Sequence, residues 1–242
     1  MGHMDFQLFK AIVDETSAYG ARSFSLHLFG EPLLYPKFFE SVEYIKQKNR
    51  RHTILLTTNG VLVNKYIDRL IKLPIDRVLW TWRTESKFTK ETKEKLKAWK
   101  AFTVRYIEEV TPKEAYEEGW TRVEGRRIHN YGGNIDSELF SKSQGDKTAK
   151  RWPCYHLWLA PGVAWDGNIL VCCSDPHQKE VIGKFPETSI EQAWNSEKIK
   201  SIRESHLQGK FLGICKECDV WKQYPNLFYS WQHTVSSSGG DS

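Results

Sequence analysis

From Asp5 to Ile107 the apolar positions change period repeatedly, first as on a helix and then as on a strand. Phe6, Phe9, Ile12 and Val13 recur at helical spacing behind Asp5, a residue type that caps first turns. Ser23 to Phe29 alternates as a strand and stops at Gly30-Glu31-Pro32. Phe38, Phe39, Val42 and Ile45 predict a second helix, and His52 to Thr57 a second strand, ended by Thr58-Asn59-Gly60. Tyr66, Ile67, Leu70 and Ile71 mark a third helix, and Arg77 to Trp82 a third strand. A charged helix is expected from Glu85 to Lys100, then a strand from Phe102 to Ile107. Such alternation predicts an α/β fold with a parallel sheet and helical crossovers.

In parallel sheets the working residues collect at the carboxyl ends of strands. Those ends are Gly30-Glu31-Pro32, Thr58-Asn59-Gly60 and Thr81-Trp82-Arg83. Gly, Pro and Asn are turn formers, and a turn is a sufficient reading of Asn59-Gly60. Glu31 stands out, because a carboxylate between Gly and Pro at a strand exit is a poor turn choice and can face the crevice.

The pattern changes after residue 110. Trp120 to Tyr131 holds room for one more strand, Asn130 to Asn134 reads as a tight loop, and Ser141 to Lys150 as a linker. Leu157 to Val171 reads as a hairpin turning at Asp166-Gly167-Asn168. Ser189 caps a short helix to Trp194, and Lys198 to Leu207 forms another with Ile199, Ile202 and Leu207 inward. The domains expected are residues 4–150, 151–235 and a frayed tail at 236–242, with Met1–His3 read as a cloning scar.

Composition narrows the classes. At 242 residues the chain has room for one domain and a part. A net charge of +5 does not announce nucleic acid, and basic runs such as Lys46 to Arg51 read as solvated helix ends. With 40% hydrophobic and 27% charged residues the chain is not wholly disordered. No apolar stretch is long enough to span a bilayer and no secretory signal opens the chain, so the expected compartment is the cytoplasm. The ten Trp read as core and hairpin packing, and His52, His129, His156 and His177 share no metal spacing.

All five cysteines follow residue 150. A hairpin would bring Cys154 and Cys172 together, and Cys215-Lys216-Glu217-Cys218 is a C-x-x-C turn, so four thiolates can share one centre. Strand alternation turns Cys173 to the other face. Disulfides are disfavoured without a secretory signal, and no thioredoxin-like pattern accompanies the C-x-x-C. Spacing alone puts structural zinc slightly ahead of iron–sulfur.

Phe29-Gly30-Glu31-Pro32-Leu33-Leu34 resembles the Gly-Glu-Pro motif of radical S-adenosylmethionine (SAM) enzymes, where it lies at the end of the second barrel strand and binds the SAM amino group. The second half resembles that family's SPASM module in its shortened Twitch form. The match runs through Cys154, twelve residues, Gly167, four residues, Cys172, then Ile182-Gly183, Ser189 to Asn195, Arg203, and Cys215-x-x-Cys218. No cysteine follows Cys218, which favours the one-cluster form. The resemblance implies a partial (β/α) TIM-like barrel followed by a small Twitch domain of β-hairpin plus helices. It implies Gly30, Glu31, Pro32 and Thr81 as cofactor contacts, and Cys154, Cys172, Cys215 and Cys218 as ligands of an auxiliary [4Fe-4S] cluster. In the family, one electron from a second [4Fe-4S] cluster splits SAM to methionine and a 5′-deoxyadenosyl radical, which takes hydrogen from a small-molecule or peptide substrate. A flavodoxin or ferredoxin is the implied reductant, and no membrane or nucleic-acid partner is expected.

Dehydrogenase members share the compact size and an Asn-x-Gly-Gly loop near the substrate, here Asn130 to Gly133 with Tyr131 at the variable position. A Tyr is a weak base at neutral pH, so a shared substrate does not follow. One departure is large. The family's C-x3-C-x2-C motif, which holds the SAM-cleaving cluster, has no counterpart before Cys154. The expectation is a truncated or degenerate member whose SAM and second cluster belong to the intact protein. A non-catalytic scaffold with structural zinc is the alternative.

Overall fold

The computed structural model describes residues 2–81, 87–107, 116–126 and 151–220, in a chain that forms two compact units, Met1–Arg127 and Ile128–Ser242. In the first unit, helices α1 (Phe6–Ser17), α2 (Phe38–Lys48), α3 (Val63–Leu70) and α4 (Lys90–Ala98) alternate with strands. The strands are β1 (Ser23–Ser25), β2 (Thr53–Thr58), β3 (Arg77–Thr81), β4 (Phe102–Ile107) and β5 (Val123–Arg126). All neighbours pair in parallel, in the order β1-β2-β3-β4-β5. Parallel strands in unbroken sequential order, joined by crossovers that are right-handed as a rule, keep the helices on one face, as in a barrel wall, whereas a doubly wound sheet reverses direction midway.

Side-chain alternation follows. Phe24, Ile54, Leu56, Val78, Trp80, Phe102 and Val104 pack with helical Val13, Val42, Ile45, Ile67, Leu70 and Leu96 in one core. Burying each large apolar side chain stabilises the unit by about 1.5–3 kcal/mol. The intervening Leu55, Thr57, Leu79, Thr81 and Thr103 lie on the opposite face.

The caps are where the sequence places them. Asp5 Oδ1 accepts from the amides of Gln7 (2.8 Å) and Leu8 (3.0 Å). The charged helix starts later than expected, at Lys90, because Thr89 caps it. Asn64 bonds Lys87 O (2.8 Å) and the Thr89 amide (3.1 Å), which holds the preceding residues in a loop. The first strand is also shorter than expected. Pairing ends at Ser25, with Leu26 giving one more bond to Leu55 O, and the chain then turns so that Glu31 meets the end of β2.

The second unit holds a three-stranded antiparallel sheet, β6 (Gly162–Val163), β7 (Asn168–Leu170) and β8 (Val181–Lys184). Gly167, at φ +88°, makes the β6–β7 turn. Helices α5 (Ile190–Trp194) and α6 (Glu197–Leu207) follow, α5 closed by a capping box between Ser189 and Gln192. Residues 157–159, expected in the hairpin, form a helical turn, His156–Leu159. Pro161 has no amide for a ladder, so pairing begins only at Gly162. The inward face of α6 also differs from expectation. Leu207 is 58% exposed, and His206 is 1% exposed, on the face that carries Ile199. No helix among the described residues is long and apolar enough to cross a membrane.

Candidate functional site

Two constellations of candidate residues stand out, one in each unit. In the first, Glu31 caps a 3-10 turn, Pro32–Leu34, through Leu33 N (3.2 Å) to its Oε1. The same carboxylate accepts from the Thr58 hydroxyl (2.8 Å) and the Asn59 amide (2.7 Å), clamping the loop after β1 to the end of β2. A carboxylate offers about four acceptor sites, so three donors leave room for one more. Pro32 is buried at the start of the turn, whereas a Cβ at Gly30 would meet no atom within 4 Å. Nothing in the described chain requires that glycine.

Gly60 is different. Its φ is +84°, and a Cβ there would overlap the Trp80 indole at Nε1 and press on Phe88. The Trp80 Nε1 donates to Asn59 O at 3.3 Å, and Trp80 packs against Phe88, Phe102 and Trp120. The Thr58-Asn59-Gly60 turn is thus held from the helix side by aromatic packing. Thr81, one residue past Trp80, faces the other side of the sheet at its carboxyl end and is half-buried. Tyr131 and the loop Asn130 to Gly133 lie outside the described residues.

In the second unit Cys154, Cys172, Cys215 and Cys218 line one cavity, with Arg151 and His206 as polar neighbours. They come from three stretches of the chain: the residues before the helical turn, the exit of β7, and the C-x-x-C turn, whose Cys215 ends a 3-10 turn, Gly213–Cys215. Cys173 is exposed, while Cys172 is buried and accepts from Ser174 N at 3.4 Å. Both stand beyond the last residue of β7, so a turn separates them, not strand alternation.

Burial pushes the Cys154 and Cys215 thiols up to about 12. The Cys172 thiol is raised by its hydrogen bond with Cys173 and by burial. Such thiols ionise only when a cationic centre compensates the thiolate charge. Among the described residues no three His, Cys, Asp or Glu side chains are placed to hold a single metal ion. A tetrahedral zinc draws its sulfurs to about 2.3 Å from one point, whereas a multinuclear cluster holds its thiolates apart across an inorganic core. Four thiols lining one cavity are a donor set suited to a thiolate-ligated centre.

Arg151 and His206 had no place in the sequence-based site. Arg151 donates to the carbonyls of Cys215 (2.5 Å) and Lys216 (3.0 Å) and stacks on Phe211, so it braces the C-x-x-C turn. Burial lowers its pKa. His206 Nδ1 accepts from Cys154 N at 3.3 Å, and burial, with the Arg151 charge, pushes its pKa down to about 4. Its Nε2 is buried with no hydrogen-bond partner among the described residues, an arrangement that costs about 1–3 kcal/mol if left so. The signal for His206 was its helical spacing from Ile199, at i+7. Arg203 of the cysteine signature ties α6 to Leu157 O (2.8 Å) and Trp194 O (3.2 Å), a structural task.

Residues 154–219 match the SPASM iron–sulfur cluster-binding domain. Over 228 residues the chain is 27% identical to the S-adenosyl-L-methionine-dependent 2-deoxy-scyllo-inosamine dehydrogenase of Niallia circulans, covering 90% of this chain and 81% of that one. The fold resembles BtrN in complex with AdoMet and 2-DOIA, with TM-score 0.66 and 22% identity over 90% of this chain and 81% of that chain. It also resembles anSMEcpe with bound AdoMet and Cp18Cys peptide, with TM-score 0.59 and 16% identity over 92% and 80%. The chain is thus similar to S-adenosyl-L-methionine-dependent enzymes over most of its length, carries a match to the SPASM domain at residues 154–219, and has a parallel sheet that resembles the wall of a TIM-like barrel.

Proposed function

We propose that this chain is the substrate-handling and auxiliary-cluster portion of a radical SAM oxidoreductase, with Cys154, Cys172, Cys215 and Cys218 holding one [4Fe-4S] cluster. The observation that carries this reading is the meeting of Cys154, Cys172, Cys215 and Cys218 on one cavity, within the stretch that matches the SPASM iron–sulfur cluster-binding domain. When bound, such a cluster supplies a one-electron acceptor or donor, which suits a dehydrogenation. Arg151 holds the C-x-x-C turn in place by its two carbonyl bonds.

In the first unit, Glu31 is pre-oriented by Thr58 and Asn59, and its remaining acceptor site suits the ammonium group of SAM. The open space at Gly30 leaves the approach clear, and Pro32 fixes the turn that presents the carboxylate. Thr81 is positioned at the strand end for a hydroxyl contact. Tyr131 is the proposed substrate-loop residue, and the substrate is a small molecule or a peptide. A flavodoxin or ferredoxin is the proposed reductant, and the cytoplasm the proposed compartment, since cluster ligation needs reduced thiols.

These 242 residues carry no cysteine before Cys154. They therefore offer no three-thiolate set for a SAM-cleaving cluster besides the auxiliary one, and alone should form no 5′-deoxyadenosine. Anaerobic purification and reconstitution test the reading. A brown protein with about four irons and four sulfides is expected, and incubation with SAM and dithionite should give no 5′-deoxyadenosine. A colourless protein with one zinc and no sulfide would overturn the cluster. Product from the chain alone would overturn the division of labour.

A further inference from the structure

His206 stands on α6 with its ring enclosed: 1% of the residue is exposed, and Phe211 meets it edge-on with centroids 4.8 Å apart. Its Nδ1 accepts the Cys154 amide. A ring nitrogen that accepts an N–H carries no proton, so the single proton of the neutral ring sits on Nε2. That N–H is buried, has no partner among the described residues, and belongs to a side chain lining the cavity of the four cysteines. A donor oriented at one end by a ligand's backbone and left open at the other end is completed by what the cavity holds.

We propose that His206 donates an Nε2–H···S hydrogen bond to a sulfur of the cluster held by Cys154, Cys172, Cys215 and Cys218, and thereby raises its reduction potential. This rests on the cluster reading above. Sulfurs of a thiolate-ligated cluster gain negative charge on reduction, so a fixed donor stabilises the reduced form more than the oxidised form. His206 is a positioning and tuning residue here, not an iron ligand. Its Nδ1 bond to Cys154 N couples the ring to the loop that carries the first ligand, so both ends of the imidazole serve the same centre.

The test uses the full chain reconstituted anaerobically, with His206→Phe and His206→Gln. Iron and sulfide are counted, midpoint potentials are measured by redox titration followed by electron paramagnetic resonance, and pulsed spectra of the reduced cluster are searched for a weak imidazole-nitrogen coupling. His206→Phe should keep its iron and sulfide, lose the nitrogen coupling and become harder to reduce. His206→Gln, whose amide keeps a donor, should recover part of the shift. Equal potentials in wild type and His206→Phe would overturn the proposal. So would a coupling strong enough for a direct iron–nitrogen bond, together with loss of iron in His206→Phe. If His206→Phe does not load, the wild-type spectrum and His206→Gln decide, and absence of nitrogen coupling in wild type overturns it. Wild-type protein without iron and sulfide would instead overturn the cluster reading, and this inference with it.

Discussion

The Glu31 carboxylate and the four thiols sit in separately packed units, and they differ in how far their own chain completes them. Glu31 receives three donors from Leu33, Thr58 and Asn59, and the turn it contacts is locked by Gly60 against Trp80. That geometry closes without a ligand. The thiol cavity does not close in the same sense. Burial pushes up the Cys154 and Cys215 thiols, and the Nε2 of His206 has no partner among the described residues. A site whose polar groups satisfy one another is preorganised by folding, whereas one whose groups do not is completed by what it binds.

The largest effect that would break this contrast comes from the cysteines. Alanine at Cys154, Cys172, Cys215 or Cys218 should abolish iron and sulfide loading, and alanine at Cys173 should leave it intact. Amide exchange over residues 151–220 should rise steeply in the four unloaded variants and stay unchanged over residues 2–81. Retained metal in Cys172→Ala with loss in Cys173→Ala would reassign the ligand. Equal loosening of both stretches would remove the contrast.

Gly60→Ala probes the preorganised side. The substitution places a Cβ on Trp80 at a left-handed backbone position, and the expected loss is about 2–3 kcal/mol. Urea unfolding followed by tryptophan fluorescence measures it, and iron content should not change. Glu31→Ala leaves the Thr58 hydroxyl and Asn59 amide without their acceptor, with an expected loss of about 1–3 kcal/mol. Glu31→Gln should lose less. An unchanged urea midpoint in Glu31→Ala would show that the clamp contributes nothing to the fold. In the second unit, Ser189→Ala removes one half of the capping box and should lower stability by about 1 kcal/mol, whether or not iron is bound.

The smallest effect is one of pH. His52 is fully buried, accepting from Arg22 N (2.9 Å) with its other nitrogen 2.9 Å from Ser17 Oγ, and burial lowers its pKa below 6.5. The unfolded chain then binds a proton that the folded one refuses. Stability from this residue is therefore present above pH 6.5 and is lost as pH falls from 6.5 toward the lowered value. Thermal unfolding between pH 7.5 and 5.5 should show this slope in the wild type and a flatter one in His52→Asn.

Much of the first unit was legible in the chain because its signals are local. Asp5 caps α1, β2, β3 and β4 stand within about a residue of expectation, and Ser189 with Gln192 forms the predicted cap in the second unit. The C-x-x-C turn and Gly167 were legible for the same reason, since a turn and a short ligand spacing are settled within a few residues. The readings that changed were those decided at a distance. Residues 157–159 are an apolar run that a strand could use, but Pro161 offers no amide, and the segment became a helical turn. Leu207 is the more apolar residue, yet the rotation of α6 set by Ile199 turned His206 inward beside Cys154.

The amino-acid order by itself determined the helix and strand alternation, the turn at Thr58-Asn59-Gly60 and the four thiols available for one centre, because periodicity, capping and turn chemistry act between near neighbours. Only the tertiary structure decided that Glu31 is held by Thr58 and Asn59, that Arg151 braces Cys215, and that buried His206 accepts from the Cys154 amide beside the thiol cavity. These pairs stand 27 to 64 residues apart. Their contacts exist only once the sheet register and helix packing have closed the intervening chain.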